Sequence, residues 1–113
     1  MEVVKTKQGD ILILSLSGRV DSDTAPDFEK EVLEAIDNGE IHIVINCQDL
    51  QYISSSGLRV FLLALKAVRP LNGEVAVCSP REHVRDVFDI VGFIGLFAIY
   101  DSVDDAVKQL TQT

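Results

Sequence analysis

At 113 residues the chain is long enough for one domain with a modest core, and we expect a single domain over residues 1–113. Hydrophobic residues make up 47% of the chain and charged residues 25%, which is ordinary for a soluble globular protein. The net charge of −8 argues against nucleic acid and anionic membranes as partners, because both attract basic surfaces.

The absence of certain sequence features indicates where the protein is located and which redox state its cysteines have. No run reaches membrane-spanning length and the N-terminal residues hold no signal-peptide core, so we expect a cytoplasmic protein. Cys47 and Cys78 each follow an apolar, strand-like run, which predicts free thiols in or near the core. No Cys-x-x-Cys or clustered Cys/His spacing is present, so neither a metal nor a cofactor is predicted.

The chain opens with a predicted antiparallel hairpin. Val3–Lys7 is a strand candidate, Gly9 and Asp10 indicate a turn, and Ile11–Ser17 alternates as a strand. A helix should then begin within Asp21–Thr24, and it is expected to end at Gly39. Its candidate caps are Asp23 and Thr24, with Pro26 in the first turn.

A third strand is predicted over Ile41–Asn46, with apolar residues on one face and a mixed face that includes His42. We expect His42 to lie on the strand surface and not to act as a ligand or base. The strand leads into Asp49–Val60, around which the sequence is organised.

Three serines and Gly57 stand in this stretch, before an apolar helix pattern that runs from Leu58 to Arg69 and stops at Pro70. Serine hydroxyls here can cap the helix, because they accept from unpaired N–H groups of its first turn. A helix N-terminus also tolerates a phosphate, since it carries partial positive charge. Gly57 adds no side chain, so the backbone there is expected to stay open to approach.

The helix after the serines has two apolar stripes on nearly opposite faces. The first stripe is Leu58, Phe61, Leu62 and Leu65, and the second is Val60, Leu63, Ala64 and Ala67. Either the helix packs against the protein on both sides, or part of the second stripe is an exposed docking face next to Ser55.

Two further strands and two helices are predicted in the last third of the chain. The strands are Glu74–Cys78 and Phe97–Tyr100. Ser79 is expected to cap the first helix, with Glu82 completing a capping box, and Ser102 is expected to open the second. The buried faces should be Val84, Val87, Phe88 and Val91 in the first helix, and Val103, Ala106, Val107 and Leu110 in the second.

Alternation of strands and helices predicts an α/β fold of parallel strands joined by crossovers. The third and fourth strands alternate in polarity, whereas strands covered on both faces are continuously apolar. We therefore expect a mixed sheet of four to five strands, mostly parallel with an antiparallel N-terminal strand, and helices mainly on one face. The other face should be partly open and bear His42, Asn46 and Glu74.

The stretch Asp49–Val60 resembles the signature of STAS domains, specifically the bacterial anti-sigma factor antagonists. Gly18–Asp21 and Gly73–Cys78 resemble further family features, so the resemblance covers nearly the whole chain. It places the family's phosphorylated serine on Ser55, with Ser56 as the neighbouring alternative. Two departures are Ser54, where many members have Asp, and Arg59, where well-known members have Gly.

The resemblance implies a switch between binding partners. The unphosphorylated protein would bind an anti-sigma factor that is also an ATP-dependent serine kinase, and so release the sigma factor. Phosphorylation of Ser55 would end this binding, and a PP2C-type phosphatase would restore it. The implied partner-binding residues are Asp21, Ser54, Ser55, Ser56, Gly57, Leu58, Arg59, Val60 and Leu63.

Two other classes of function stay open at this point. The same fold serves as a non-phosphorylated scaffold subunit of larger signalling or transport assemblies. A small enzyme is disfavoured, because neither His42 nor His83 lies in a motif that would activate a serine and no Gly-x-Ser-x-Gly is present. We therefore expect that the chain is not an enzyme. Two roles likewise stay open for Asp21. It is either a loop or cap carboxylate or a part of the partner surface.

Overall fold

The computed structural model describes residues 1–111. The strands are β1 (Glu2–Gln8), β2 (Ile11–Val20), β3 (His42–Ile53), β4 (Glu74–Cys78) and β5 (Ala98–Tyr100). The α-helices are α1 (Ala25–Asp37), α2 (Ser55–Val68), α3 (Glu82–Ile90) and α4 (Val103–Thr111), and 3₁₀ turns cover Arg69–Leu71 and Phe93–Gly95. Within this range no helix is long and apolar enough to cross a membrane.

The strands form one sheet in the order β1-β2-β3-β4-β5. β1 pairs antiparallel with β2, and every later neighbour pairs in parallel. Spatial order equals chain order because each crossover adds its strand to the same growing edge. The predicted α/β architecture, with its antiparallel N-terminal strand, is confirmed.

The main core lies between one face of the sheet and helices α1, α2 and α3. Each of these helices contributes a fully buried phenylalanine: Phe28, Phe61 and Phe88. Phe61 meets Phe28 edge-on with ring centroids 5.5 Å apart, and it meets Phe88 in the same way at 5.3 Å. Helix α2 is therefore the central helix of the layer, and its position controls how the other two pack.

The opposite face is covered by α4, which corrects one expectation. Ala106 of α4 is buried in a second apolar cluster with Ile11, Ile13 and Val44. Glu74 is exposed, whereas His42 and Asn46 are half-buried. Helices do lie mainly on one face, as predicted, but this other face is open only at its margins. The reason is that the apolar side of α4 requires a partner, and the small apolar patch on the sheet provides it.

Competing hydrogen bonds prevent two predicted side-chain caps, although α1 begins where the sequence predicted. Thr24 occupies the N-cap position of α1, yet its hydroxyl donates to the Arg19 carbonyl at 2.9 Å and makes no cap bond. Ser79 does not cap α3, because it adopts a left-handed conformation (φ 56°) and its hydroxyl donates to the Asp101 carbonyl. Ser79 thereby ties the end of β4 to the end of β5. The predicted cap by Ser102 is confirmed, since its hydroxyl oxygen accepts from the Asp105 amide at 3.1 Å.

The predicted buried face of α3 is partly wrong. Val84 and Phe88 are buried and Val87 packs against the core, but Val91 is 47% exposed. Helix α3 ends at Ile90, and Gly92 turns the chain with φ 79°. Val91 thus lies outside the helical repeat that would have turned it inward.

Strand β3 is longer than predicted and carries the start of the serine stretch. It pairs with β2 as far as Val20 and Ile53, whereas its pairing with β4 ends at Asn46 and Cys78. The register of β2 against β3 shifts twice, and each time β3 contributes one residue more than β2. Such bulges increase local twist and often lie beside functional sites.

The first turn of α2 rests directly on the ends of these two strands. A Cβ atom at Gly57 would lie 2.8 Å from a side-chain carbon of Ile53 and 2.8 Å from one of Val20. Real Cβ atoms do not approach this closely, so only glycine fits without a shift. The prediction that the backbone at Gly57 stays open to approach is therefore wrong, because the protein's own strand ends occupy that space.

We predict that Gly57→Ala lowers the free energy of unfolding by about 1–3 kcal/mol, because overpacking forces the helix away from the strands. Urea denaturation of wild type and variant measures this change. Gly95→Ala is the matched control, since a Cβ there meets nothing within 4 Å. Equal stability of the two variants would show that the first turn of α2 does not pack tightly against the strand ends.

The two thiols should be inert in the folded protein. Cys47 and Cys78 are both buried. Burial raises the pKa of the Cys47 thiol far above its usual value, and burial also raises the pKa of Cys78. Because the thiolate is the reactive form, we predict no reaction with Ellman's reagent at pH 8 until the protein is unfolded in urea. Rapid labelling of the native protein would contradict this packing.

Candidate functional site

The motif Gly18–Asp21 and the serine stretch Asp49–Val60 meet where β2 and β3 end. Both strands run in parallel, so their C-terminal ends lie at the same edge of the sheet. The Ser54 amide donates to the Val20 carbonyl at 2.8 Å, which joins the two chain segments just beyond the strands. Asp21 follows directly on one segment and Ser55 on the other. The structure thus brings Asp21 beside the serines, although the two motifs are far apart in sequence.

Ser54 holds the helix start. It is the N-cap of α2, with an extended backbone, and its hydroxyl oxygen accepts from the Gly57 amide at 3.3 Å. Its carbonyl also accepts from the Leu58 amide. The predicted capping role is therefore carried by Ser54. The hydroxyls of Ser55 and Ser56, which are both exposed, are therefore not needed as helix caps.

Ser55 is the first residue of α2. Within the described part of the chain no backbone hydrogen bond from the amides of Ser55 or Ser56 is present, as expected for the first residues of a helix. These N–H groups and the helix dipole favour negative charge at this point.

The two exposed serines differ in their surroundings. Ser56 lines a cleft of about 200 Å³ between α1 and α2, and Ser55 does not. On the α1 side the cleft includes Glu29, and on the α2 side it includes Arg59. The full lining is Ser22, Ala25, Pro26, Glu29, Ser56, Arg59 and Val60.

Three residues of the predicted partner-binding set are buried. Gly57 is enclosed by the strand ends, while Leu58 is 4% exposed and Val60 is 2% exposed. These residues position the helix and do not form an exposed contact surface. Leu63 is half-buried and Arg59 is exposed. For Val60 and Ala64 the second stripe packs inside the protein, because α2 lies between the sheet and its neighbouring helices.

Charged and aromatic side chains stand on the chain segments that meet at the serines. The Arg19 guanidinium lies 4.2 Å from the centre of the Tyr52 ring, a cation–π contact, and 4.0 Å from the Asp21 carboxylate. Tyr52 is 39% exposed. We call the side chains of Arg19, Asp21, Tyr52, Ser55 and Arg59 the serine rim. Arg19 and Tyr52 lie within the recognised motifs, but their contact could be found only from the register of β2 against β3.

Asp21 is a fixed negative charge in this rim. Its partial desolvation raises its pKa, but amide hydrogen bonds from Thr24 and Asp23, the Thr24 hydroxyl and the charge of Arg19 together hold the pKa below its usual value. Asp21 therefore stays ionised at neutral pH. The carboxylate organises its own loop through Asp23 and Thr24, as the first interpretation predicts. A role for Asp21 in the partner surface stays a prediction.

The arrangement offers no activated nucleophile. His83 Nε2 lies 2.6 Å from the Gln51 carbonyl oxygen, and among residues 1–111 no hydrogen bond joins either histidine to Ser54, Ser55 or Ser56. In the same residues no cluster of three or more potential metal ligands is found.

Comparison with known proteins gives concordant matches over most of the chain. The sequence profile described as STAS domain matches residues 2–106. BtrV of Bordetella bronchiseptica, which is provisionally named an anti-sigma factor antagonist, is 40% identical over 94% of this chain and 91% of its own length. The anti-sigma F factor antagonist of Paenibacillus polymyxa is 35% identical over 88% of this chain and 86% of its own length.

Solved structures agree on the fold. The Bacillus anti-sigma factor antagonist SpoIIAA in its unphosphorylated form superposes with a TM-score of 0.87 at 18% identity, over 99% of this chain and 98% of that one. Its phosphorylated form superposes with a TM-score of 0.77 at 19% identity, over 96% and 98%. The sequence profile, the curated relatives and the sheet order lead to one conclusion: this chain belongs to the STAS domain family, among the anti-sigma factor antagonists.

Proposed function

We propose that this protein is a cytoplasmic, single-domain anti-sigma factor antagonist controlled by phosphorylation of Ser55. Unphosphorylated, it binds an anti-sigma factor that is also a serine kinase, and the sigma factor is released. Phosphorylation by that kinase ends the interaction, and a PP2C-type phosphatase restores it. Catalysis lies with these partners, so the chain itself is not an enzyme.

The observation that carries this proposal is the position of Ser55. Its side chain is exposed at the first residue of α2, while Ser54 caps the helix in its place. A kinase can therefore reach the Ser55 hydroxyl without unwinding the helix. The added phosphate brings about −1.5 to −2 charge units to a helix N-terminus that favours negative charge. The fold should tolerate the modification with little change of shape.

The same phosphate should be costly at an interface. A partner docked on the serine rim would have to desolvate the phosphate or neutralise it, and Asp21 already supplies one negative charge there. The switch would then act on binding and not on folding. The exposed Tyr52 ring gives the rim an apolar contact for a partner, since buried tyrosines often dominate interface energy.

The surroundings of the two serines favour Ser55 over Ser56. A phosphate on Ser56 would sit at the cleft lined by Glu29 and Arg59, where it would lie beside the Glu29 carboxylate that already pairs with this guanidinium. A phosphate on Ser55 lies outside this cleft. Ser54, which replaces the Asp of many family members, caps α2, and this supports the assignment of the modified serine to Ser55.

We predict one added phosphate on the wild-type protein after incubation with ATP and the cognate kinase. Intact-mass spectrometry should show the same addition on Ser56→Ala and none on Ser55→Ala. Loss of the phosphate only in Ser56→Ala would move the site by one residue. No phosphate on any variant, beside a control substrate that is modified, would contradict the switch and favour the scaffold alternative.

We further predict that Ser55→Glu weakens binding to the anti-sigma factor by about tenfold or more, because it places a charge at the interface. Ser55→Ala should bind within about threefold of wild type. Isothermal titration calorimetry measures both affinities, and Ser56→Ala is the neighbouring control. Equal binding by Ser55→Glu and wild type would place the docking surface elsewhere.

A further inference from the structure

Arg59 lies four residues after Ser55 on α2. Side chains at this spacing are neighbours on a helix surface, with Cβ atoms about 5–6 Å apart. The order also suits an ion pair, because the acidic group would precede the basic one along the helix. A phosphate on Ser55 therefore lies within reach of the Arg59 guanidinium.

In the unmodified protein Arg59 has a different partner. Its Nη2 atom contacts the Glu29 carboxylate on α1 at 3.3 Å. This is longer than the 2.7–2.9 Å of strong charge-assisted hydrogen bonds, and the Arg59 side chain is 74% exposed. Such an exposed ion pair is weakly held.

The phosphate would compete well for this arginine. It carries about −1.5 to −2 charge units and three acceptor oxygens, against one unit and two oxygens for Glu29. The planar guanidinium fork also matches a phosphate, and a bidentate contact is possible. Both competing groups approach the same exposed side chain from neighbouring positions.

We propose that phosphorylation of Ser55 draws Arg59 from Glu29 to the phosphate, so that Arg59 reads the modification and passes it to α1. This inference rests on the proposed function in that Ser55 is the modified residue. Glu29 is left as an unpaired carboxylate in the α1–α2 cleft. Phosphorylation then makes two places on the surface more negative. The serine rim gains the phosphate, and the cleft loses the charge that neutralised Glu29. A partner with negative charge facing both places would bind less well.

The test uses the full chain with phosphoserine incorporated genetically at position 55, so that no kinase is needed. A ³¹P NMR titration gives the second pKa of the phosphate, which is about 6 without a partner. A nearby guanidinium lowers this pKa because it favours the dianion. We expect Arg59→Gln to raise the pKa by roughly half a unit or more, and Glu29→Gln to lower it because the competing carboxylate is removed.

Two variants separate this contact from other causes. Arg59→Lys keeps the charge without the fork, so it should restore part of the shift. Arg19→Gln removes the other cation of the serine rim, and it should raise the pKa less than Arg59→Gln does, because Arg19 already contacts the Tyr52 ring and the Asp21 carboxylate. Circular dichroism confirms that each phosphorylated variant is folded. An unchanged pKa in Arg59→Gln, or a rise in Arg19→Gln alone, would overturn the proposal.

The outcome is independent of the kinase experiment. A shifted pKa in the phosphoserine protein supports the arginine contact even if no kinase modifies Ser55, in which case only the proposed function fails. Conversely, phosphorylation by the kinase with no effect of Arg59→Gln on the pKa would leave the switch intact and reject the role of Arg59.

Discussion

The structure depends on the close contact between the first turn of α2 and the ends of β2 and β3. Gly57 allows this contact, because any side chain there would collide with Val20 and Ile53. Helix α2 also carries Phe61, which meets aromatic rings from α1 and α3. The contact at Gly57 therefore fixes the position of the whole helical layer. It also fixes where the serines lie on the surface.

Three consecutive serines have three different environments as a result. Ser54 satisfies the helix N-terminus, Ser55 projects at the first helical residue, and Ser56 borders the α1–α2 cleft. A helix whose cap is supplied by one serine can present the next one without loss of stability. This division explains how the hydroxyl that we propose to be phosphorylated can sit on a structural element that must stay rigid.

The sequence predicted the features that arise from local pattern. The hairpin, the mostly parallel sheet and the Ser102 cap follow from alternation, short turns and capping chemistry, and Asp49–Val60 indicated the candidate site. Several wrong predictions come from long-range pairing. Residues beyond Asn46 in β3 remain a strand only because β2 continues beside them with two bulges, and Ser79 is diverted from capping by the neighbouring β5.

The same limit applies to the site. The contacts Arg19–Tyr52 and Arg59–Glu29 join residues about 30 positions apart, which periodicity cannot detect. The packing of α4 on the sheet is also a long-range contact, although the sequence of α4 itself indicated a buried side. A helix with an apolar side formed by Val103, Ala106 and Val107 has to bury it somewhere, and the crowded first face had no room.

Burial of Leu58 and Val60 has a consequence for recognition. The exposed surface near Ser55 is mostly polar and charged, apart from the Tyr52 ring, and the chain as a whole carries −8. Affinity for a partner would then depend strongly on charge, and a change of two units on one side chain would be a large fraction of the local field. Under the proposed switch the protein would not need to change shape, because its stable core would hold the phosphate where a partner has to dock.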